Sequence, residues 1–223
     1  HPEVHVDVRV PGRLLRRRVH VVALEHEPLV RHQLVAHAVR VRPVERALDL
    51  GVTEVRVADA RAAMAPAAAA FYEEPTADLV VAGITGTNGK TTTAFLLHAI
   101  LEPSGMHSGL MGTVKQLVGG EQEEVTRTTP EAIDLQHTFR RMADAGDEAC
   151  VIEVSSHAMV LHRCDAIDFD LAVFTNLTQD HLDFHSDMEE YFQAKRLLFA
   201  ASPRHSVVNL DDPYGERLAS EFD

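Results

Sequence analysis

The stretch that decides the fold is Ile84-Thr85-Gly86-Thr87-Asn88-Gly89-Lys90-Thr91-Thr92-Thr93, between an apolar run at 79–83 and a helix-like run at 94–102. This order is typical of a strand, a phosphate-binding loop and the first turn of a helix. Glycines let the backbone turn tightly and point N–H groups at a polyphosphate, while the helix dipole adds positive potential. The stretch therefore predicts a site for nucleotide phosphates.

Individual residues of this loop can be given roles. Lys90 is placed to neutralise the terminal phosphates, and the Thr91 hydroxyl is placed to ligate the magnesium ion that accompanies ATP or GTP. Ile84 stands where the common phosphate-loop pattern has its first glycine, so an ordinary Gly/Asn turn before a helix is the alternative. The residues predicted to bind the nucleotide are Gly86, Thr87, Asn88, Gly89, Lys90, Thr91 and Thr92.

The composition indicates a soluble globular protein of one or two domains. The chain has 223 residues, 45% of them hydrophobic, and a formal charge of −13, which argues against a nucleic-acid-binding surface. The run of small residues at 65–71 is too short to cross a bilayer and contains Pro66, so we expect no membrane insertion. Cys150 and Cys164 fit no metal-binding spacing, which favours buried free thiols over a disulfide and a cytoplasmic location.

Residues 1–43 differ from the rest of the chain. They contain eleven Val, eight Arg and six His but no Ser, Thr, Asn, Lys, Ile or aromatic residue, which is unusual for a domain that needs turns and caps. Eight arginines against four acidic residues give this segment +4 and leave −17 for residues 44–223. A patch for anionic ligands and a solvated or poorly folded tail both fit this pattern. We also hypothesise a shifted reading frame, which resequencing of the DNA would test.

From residue 44 onward the pattern is that of an α/β protein. Residues 54–58 alternate like a strand, residues 59–71 resemble a helix capped by Asp59, and residues 72–78 form a linker. Further strands are predicted at 79–83, 109–112, 149–154, 171–175 and 206–210, and helices at 130–146 and 188–201. This alternation predicts a mainly parallel doubly wound sheet with a phosphate loop, preceded by a small, partly atypical α/β N-terminal domain.

The helix at 130–146 has a clear apolar face. We predict Thr129 as its N-cap and Pro130 as its first residue. One buried stripe should consist of Leu135, Phe139 and Met142, which follow helical spacing.

Reactive side chains follow two predicted strands. Glu153 lies at the end of one, and Asn176 and His181 follow another. Ligands of doubly wound sheets bind beyond the carboxyl ends of the strands, so we expect these groups beside the phosphate loop. Glu153 is then placed to ligate magnesium, and His181 to ligate a second ion or contact the γ-phosphate; ordinary strand-end hydrogen bonding is the alternative. Zinc is a less favoured metal for the histidine pairs His181/His185 and His157/His162.

Five segments, taken in order, resemble the central domain of the Mur ligases. They are GITGTNGKTTT (83–93), TRTTPEAIDLQ (126–136), IEVSSHAMVLHR (152–163), FTNLTQDHLDFH (174–185) and MEEYFQAKRLLFA (188–200). Within that family the segments are most similar to the UDP-N-acetylmuramoyl-tripeptide synthetases, which add the third amino acid of the peptidoglycan stem. The resemblance implies a monomeric ligase that uses ATP and magnesium to join UDP-N-acetylmuramoyl-L-alanyl-D-glutamate, through an acyl phosphate, to diaminopimelate or lysine.

The resemblance also assigns roles to single residues. Lys90, Lys195 and His181 are implied as catalytic, and Lys195 matches the family lysine that carbon dioxide converts to a carbamate. Lys195 shares one predicted helix face with Tyr191 and Leu198, and a snorkelling surface lysine is the alternative. The implied metal ligands are Thr91, Glu153, His181 and carbamylated Lys195. The residues implied to hold the substrate peptide are Thr128, Thr129, Ser155 and Arg163, with Asn176 near the ATP phosphates.

The family resemblance predicts how the chain divides into domains. Residues 44–78 are expected to be the remainder of a UDP-binding N-terminal domain, and residues 79–223 a truncated ATP-binding central domain. A C-terminal amino-acid-binding domain is expected to be absent, so this chain alone should lack turnover. The alternatives are a non-catalytic nucleotide-binding fragment and a ligase like folylpolyglutamate synthetase, whose pterin substrate gives no reason for the Thr128-Thr129-Pro130 motif.

Overall fold

The structure is a computed structural model that describes residues 7–10, 13–16, 41–44, 53–180 and 184–222. Its strands are β1 (Asp7–Val10), β2 (Arg13–Arg16), β3 (Val41–Val44), β4 (Thr53–Arg56), β5 (Val80–Thr85), β6 (Ser108–Met111), β7 (Gln116–Val118), β8 (Glu121–Glu123), β9 (Ala149–Glu153), β10 (Leu171–Phe174) and β11 (His205–Val208). Its α-helices are α1 (Ala60–Phe71), α2 (Lys90–Leu101), α3 (Ala132–Ala145), α4 (Ser156–Val160), α5 (Met188–Ala200) and α6 (Pro213–Glu221).

A seven-stranded sheet forms the centre of the fold, with the strand order β11-β10-β5-β9-β6-β7-β8. The first five strands in this order run parallel, whereas β7 and β8 add an antiparallel hairpin at one edge. The predicted mainly parallel sheet is confirmed. The hairpin was not predicted because its strands have three residues each and β8 is polar.

The phosphate loop leaves the sheet between strands that come much later in the sequence. Strand β5 pairs with β9 on one side and with β10 on the other, so the chain must wind outward in both directions from β5. Such a reversal of strand order opens a crevice at the carboxyl ends of the strands. The loop after β5 therefore lies where a doubly wound sheet binds its ligands.

A separate four-stranded sheet has the order β2-β1-β4-β3. Strand β1 is antiparallel to β2 and β4, while β3 is parallel to β4. Strand β4 matches the strand predicted at 54–58. The other residues of the segment 1–43, and with them the hypotheses of a basic patch and a shifted reading frame, lie outside the described residues.

The two predicted helix starts had different outcomes. Asp59 caps α1 as predicted, since its side chain accepts hydrogen bonds from the N–H groups of Arg61 and Ala62 at 2.8 and 3.1 Å. The prediction for α3 was wrong, because this helix begins at Ala132 and has Glu131 at its N-cap with no side-chain cap. The Thr129 hydroxyl is directed to β9 instead: it donates to the carbonyl oxygen of Glu153 at 2.8 Å and accepts from the Ser155 N–H at 3.1 Å.

The core lies between the seven-stranded sheet and its helices. Leu135, Phe139 and Met142 of α3 are fully buried, which confirms the predicted stripe. Cys150 and Cys164 are free and buried, as predicted, and burial raises the pKa of both thiols. The predicted linker at 72–78 contains a 3₁₀ turn, Pro75–Asp78, that packs partly into the core. In the part of the chain that the structure describes, no helix combines the length and apolar character needed to span a membrane.

The core position of α3 gives a matched test of the fold. Leu135→Ala should lower the free energy of unfolding by about 2–5 kcal/mol, because it removes a fully buried side chain and leaves a cavity. Leu96→Ala in α2 deletes the same atoms from a side chain that is 59% exposed, so it should cost less than about 1 kcal/mol. Urea denaturation of both variants checks this, and equal losses would contradict the described packing of α3.

Candidate functional site

The phosphate loop needs glycine at two positions. Gly86 and Gly89 have φ angles of 145° and 87°, a region that residues with a side chain rarely adopt. A Cβ on Gly86 would also lie 1.9 Å from the hydroxyl oxygen of Thr175. The loop can therefore turn from β5 into α2 only with these glycines, which leaves the backbone at the start of α2 accessible from the crevice.

The segment after β10 holds the loop in place. The side-chain oxygen of Asn176 accepts from the Asn88 N–H at 3.0 Å, and its side-chain nitrogen donates to the Asn88 carbonyl at 3.0 Å. The Thr175 hydroxyl donates to the same carbonyl at 2.7 Å. Asn176 was predicted to lie near the ATP phosphates, and the structure places it against the loop backbone, where it supports the loop.

Two lysines converge on one carbonyl oxygen of the loop. Lys90 Nζ donates to the carbonyl oxygens of Gly86 and Thr87 at 2.8 and 2.9 Å, and Lys195 Nζ donates to that of Gly86 at 3.0 Å. Lys195 is only 1% exposed, and its Nζ lies 4.4 Å from the centre of the Tyr191 ring. The predicted face of α5 is confirmed, and the alternative of a snorkelling surface lysine is wrong.

Burial and like charge both disfavour the protonated form of Lys195. Burial lowers its pKa most, the neighbouring Lys90 charge lowers it further, and Asp180 offsets part of the effect, with a result of about 7. Burial also lowers the pKa of Lys90, against the attraction of Glu153 and Asp180. Near neutral pH Lys195 therefore spends much of its time as a neutral amine, the nucleophilic form.

A buried carboxylate lies beside the loop at the end of β9. Glu153 is fully buried and accepts hydrogen bonds from the Thr91 hydroxyl at 2.9 Å, the Thr113 hydroxyl at 3.1 Å and the Thr113 N–H at 2.9 Å. A Cβ on Gly112 would lie 2.3 Å from this carboxylate, so the turn after β6 needs glycine there. A hydroxyl and a carboxylate at the start of a phosphate-loop helix are hard oxygen donors that suit magnesium.

The sequence does not single out Gly112 or Thr113 as site residues. Gly112 ends the strand predicted at 109–112 and Thr113 follows it, at the same edge of the sheet as Glu153, which was the available signal. The pair was overlooked because glycine and threonine after a strand are also ordinary turn residues.

The residues predicted to hold the substrate peptide are brought together next to Glu153. Thr129 donates its hydroxyl hydrogen to the Glu153 carbonyl and accepts from the Ser155 N–H at 3.1 Å. The hydroxyl oxygen of Thr128 lies 3.0 Å from that of Thr113. These contacts join the predicted metal ligand and the predicted peptide site.

Arg163 lies at the far side of the same cluster. It donates to the Thr129 carbonyl at 3.1 Å and forms an ion pair with Glu131 at 2.8 Å. Its side chain is 13% exposed, so the alternative of a plain surface charge is wrong. Burial lowers the pKa of Arg163, and its Nε–H is buried without a hydrogen-bond partner among the described residues. This arginine therefore keeps an unused donor.

Some predicted site residues are placed elsewhere or lie outside the description. His181 falls in the segment 181–183, which the structure does not describe, and Thr92 is exposed. The Nε2 atom of His185 lies 2.9 Å from the Ser156 hydroxyl, His157 packs on Phe184, and His162 pairs with Asp165. Within residues 57–180 and 184–222, no three His, Cys, Asp or Glu side chains form a group that could hold a metal.

The fold and the loop are those of an α/β domain that carries a phosphate loop at the switch point of its sheet. A family model, the Mur ligase middle domain, matches residues 84–223. This match extends over more than half of the chain, so the chain belongs to the Mur ligase family.

Individual relatives agree with this assignment. The chain is 52% identical over 168 residues to a UDP-N-acetylmuramoyl-L-alanyl-D-glutamate–2,6-diaminopimelate ligase of Caldanaerobacter subterraneus, a match that covers 75% of this chain and 35% of the relative. A solved structure of a ligase with the same name superimposes with a TM-score of 0.68 and 28% identity, over 82% of this chain and 37% of the other. The chain thus spans about a third of the length of these relatives.

A more distant neighbour bears on the folate-type alternative. The folylpolyglutamate synthase of Mycobacterium tuberculosis, complexed with ADP and AMPPCP, superimposes with a TM-score of 0.54 and 17% identity, over 70% of this chain and 43% of that one. At this identity the likeness shows a shared fold and nothing about the substrate.

The low pKa of Lys195 predicts a pH-dependent stability. In the unfolded chain a lysine has a pKa near 10.5, against about 7 in the folded chain, so between these values only the unfolded chain binds the proton. The contribution of Lys195 to the stability of the wild-type chain should therefore rise as the pH increases from 7 towards 10.5. Lys195→Met removes the free-energy cost of burying a protonated amine. The variant should therefore be more stable than the wild type below pH 7, and this gain in stability should shrink as the pH rises.

Urea denaturation across this pH range in carbon dioxide-free buffer measures the effect. Lys115→Met, which removes a less buried lysine outside the loop, is the matched control and should follow the wild-type profile. Parallel profiles for the wild type and Lys195→Met would show that Lys195 carries no such cost.

Proposed function

We propose that this chain carries the ATP-binding central domain of a ligase that adds diaminopimelate to UDP-N-acetylmuramoyl-L-alanyl-D-glutamate. The observation that carries the proposal is the convergence of Lys90, Lys195, Thr91 and Glu153 on one phosphate loop, next to the cluster around Thr129. The names of the relatives supply the substrate and the amino acid. On this proposal residues 79–223 belong to the central domain and residues 44–78 to the preceding one.

The loop and the carboxylate of Glu153 suit a magnesium–ATP complex. The N–H groups at the start of α2 and the Lys90 ammonium would face the phosphates, and Lys90 would exchange its carbonyl partners in the loop for phosphate oxygens. Thr91 and Glu153 would hold one magnesium ion, and His181 would help to hold a second. Magnesium, when bound, neutralises charge on the phosphates.

The proposed reaction has two steps. An oxygen of the substrate's free glutamyl side-chain carboxylate attacks the γ-phosphorus of ATP, and the bond from that phosphorus to the ADP oxygen breaks. The amine of diaminopimelate then attacks the acyl carbon, and phosphate leaves as the amine loses a proton. A carboxylate is a poor electrophile, so the first step is needed to make an amide, and the protein contributes mainly position and charge neutralisation.

We also propose that Lys195 is carbamylated. Its neutral amine nitrogen attacks carbon dioxide and loses one proton, which leaves a carboxylate-like anion on a long side chain. The lowered pKa of Lys195, its burial and the nearby Lys90 charge support this step, because the amine is neutral near pH 7 and the product gains a cationic neighbour. The carbamate would serve as a further oxygen ligand for magnesium.

Substitution of Lys90 tests the nucleotide site. Lys90→Ala should weaken binding of ATP in the presence of magnesium by about 10- to 100-fold, because charged hydrogen bonds to phosphate are lost. Isothermal titration calorimetry checks this, with Lys115→Ala as the control that should bind like the wild type. An unchanged dissociation constant for Lys90→Ala would contradict the assigned site.

A phosphate-release assay separates a ligase from a non-catalytic nucleotide-binding fragment. The assay contains ATP, the UDP-muramoyl dipeptide and diaminopimelate, and it uses a sample whose ATP binding has been demonstrated. Release that requires all three substrates would support ligation by the chain itself. Binding without release would support the fragment.

The carbamate can be observed directly. Under ¹³C-labelled carbon dioxide the wild-type chain should show a carbamate carbon signal by NMR, and Lys195→Ala should lack it, because Lys195 is the buried lysine whose pKa falls to about 7. Short carboxylic acids should restore magnesium-dependent nucleotide binding or turnover to Lys195→Ala, since they replace the missing anion. A signal that persists in Lys195→Ala, or full function of this variant without added acid, would remove the proposed role.

A further inference from the structure

Thr113 contacts both halves of the proposed site. Its N–H and its hydroxyl lie 2.9 and 3.1 Å from the two oxygens of the Glu153 carboxylate, and the same hydroxyl lies 3.0 Å from that of Thr128. The side chain is exposed at the crevice and does not form part of the core. Thr113 therefore connects the proposed metal ligand to a residue proposed to hold the substrate peptide.

The direction of these hydrogen bonds follows from the number of hydrogens available. A carboxylate has no hydrogen, so the Thr113 hydroxyl must donate its single hydrogen to Glu153. Thr113 then offers only lone pairs to Thr128, so Thr128 must donate its own hydrogen to Thr113. The Thr128 oxygen is left with lone pairs and can only accept a hydrogen bond from a ligand.

The neighbouring hydroxyls already use their hydrogens inside the cluster. Thr129 gives its hydrogen to the Glu153 carbonyl, so in the 3.2 Å contact between the Thr129 and Ser155 hydroxyls the hydrogen comes from Ser155. Arg163 has only donors, and its Nε–H is unused among the described residues. The cluster thus presents a donor at Arg163 and an acceptor at Thr128.

We propose that Thr113 is a positioning residue that fixes Thr128 as the acceptor for the peptide N–H of the substrate's glutamyl residue. This inference rests on the proposed function. That residue carries one carboxylate to be activated beside Glu153, a second carboxylate that needs a donor such as Arg163, and one N–H that needs an acceptor. The donor and acceptor pattern of the cluster matches these three groups.

A pair of ligands that differ at this N–H tests the proposal. One is UDP-N-acetylmuramoyl-L-alanyl-D-glutamate, and the other is its ester analogue, in which oxygen replaces that N–H. Titration calorimetry with magnesium and a non-hydrolysable ATP analogue should show that the wild-type chain binds the amide at least about tenfold more tightly, because two oxygen lone pairs face each other in the ester complex.

The variants separate positioning from general structural effects. In Thr113→Val the Thr128 hydroxyl is free to turn its hydrogen towards the ligand, so the preference for the amide should fall to near onefold. Thr113→Ser keeps the hydroxyl and should retain the preference. Thr126→Val removes a hydroxyl from an exposed threonine outside the cluster and should also retain it.

Each failure has a distinct meaning. Equal binding of amide and ester by the wild-type chain, with nucleotide binding intact, would overturn the acceptor role of Thr128 and leave the proposed function standing. A preference that persists in Thr113→Val would overturn the role of Thr113 alone. A chain that binds nucleotide but neither peptide ligand would overturn this inference and leave the nucleotide site standing, whereas loss of nucleotide binding as well would overturn the proposed function.

Discussion

The buried carboxylate of Glu153 is the interaction on which the arrangement of the site depends. A carboxylate without access to water is costly unless its oxygens accept hydrogen bonds or bind a cation. Here the Thr91 hydroxyl and both donors of Thr113 satisfy it. These contacts fix the start of α2 and the turn after β6 to the end of β9. The Glu153 side chain therefore sets the distance between the phosphate loop and the cluster around Thr129. Gly112 lacks a Cβ and so allows the turn after β6 to approach this carboxylate.

A second electrostatic constraint on the site comes from its two lysines. Lys90 and Lys195 both donate to the carbonyl oxygen of Gly86, so two amine nitrogens share one neutral acceptor. Burial lowers the pKa of Lys195 most and the Lys90 charge lowers it further, which favours any anion that can take one of the partners. A polyphosphate would satisfy Lys90, and conversion of Lys195 to an anion would remove the repulsion. The proposed ligand and the proposed modification would thus both offset the positive charge at the phosphate loop.

Much of the fold was predictable, because its signals are local. Turn chemistry predicts the strand before the loop and the glycines at 86 and 89, and the hydrophobic period predicts the buried stripe of α3. The structure confirms all three features. The cap of α3 was mispredicted because the Thr129 hydroxyl bonds to the backbone of Glu153 and Ser155, which no local pattern reveals. Thr113 was missed for the same reason, since its importance comes from contacts with Glu153 and Thr128, distant in sequence.

The order of the strands also constrains how the proposed reaction can be laid out. The nucleotide loop and Asn176 lie at β5 and β10, Glu153 lies at the end of the neighbouring β9, and Thr113 lies beyond β6, the next strand in the sheet. The proposed phosphate, metal and peptide contacts therefore follow one another along a single edge. Phosphoryl transfer needs the attacking and leaving oxygens roughly in line. On the proposed function, this strand order places the residues for the attacking carboxylate on the β6 side of the phosphate loop, so the topology of the sheet sets the side from which the carboxylate approaches.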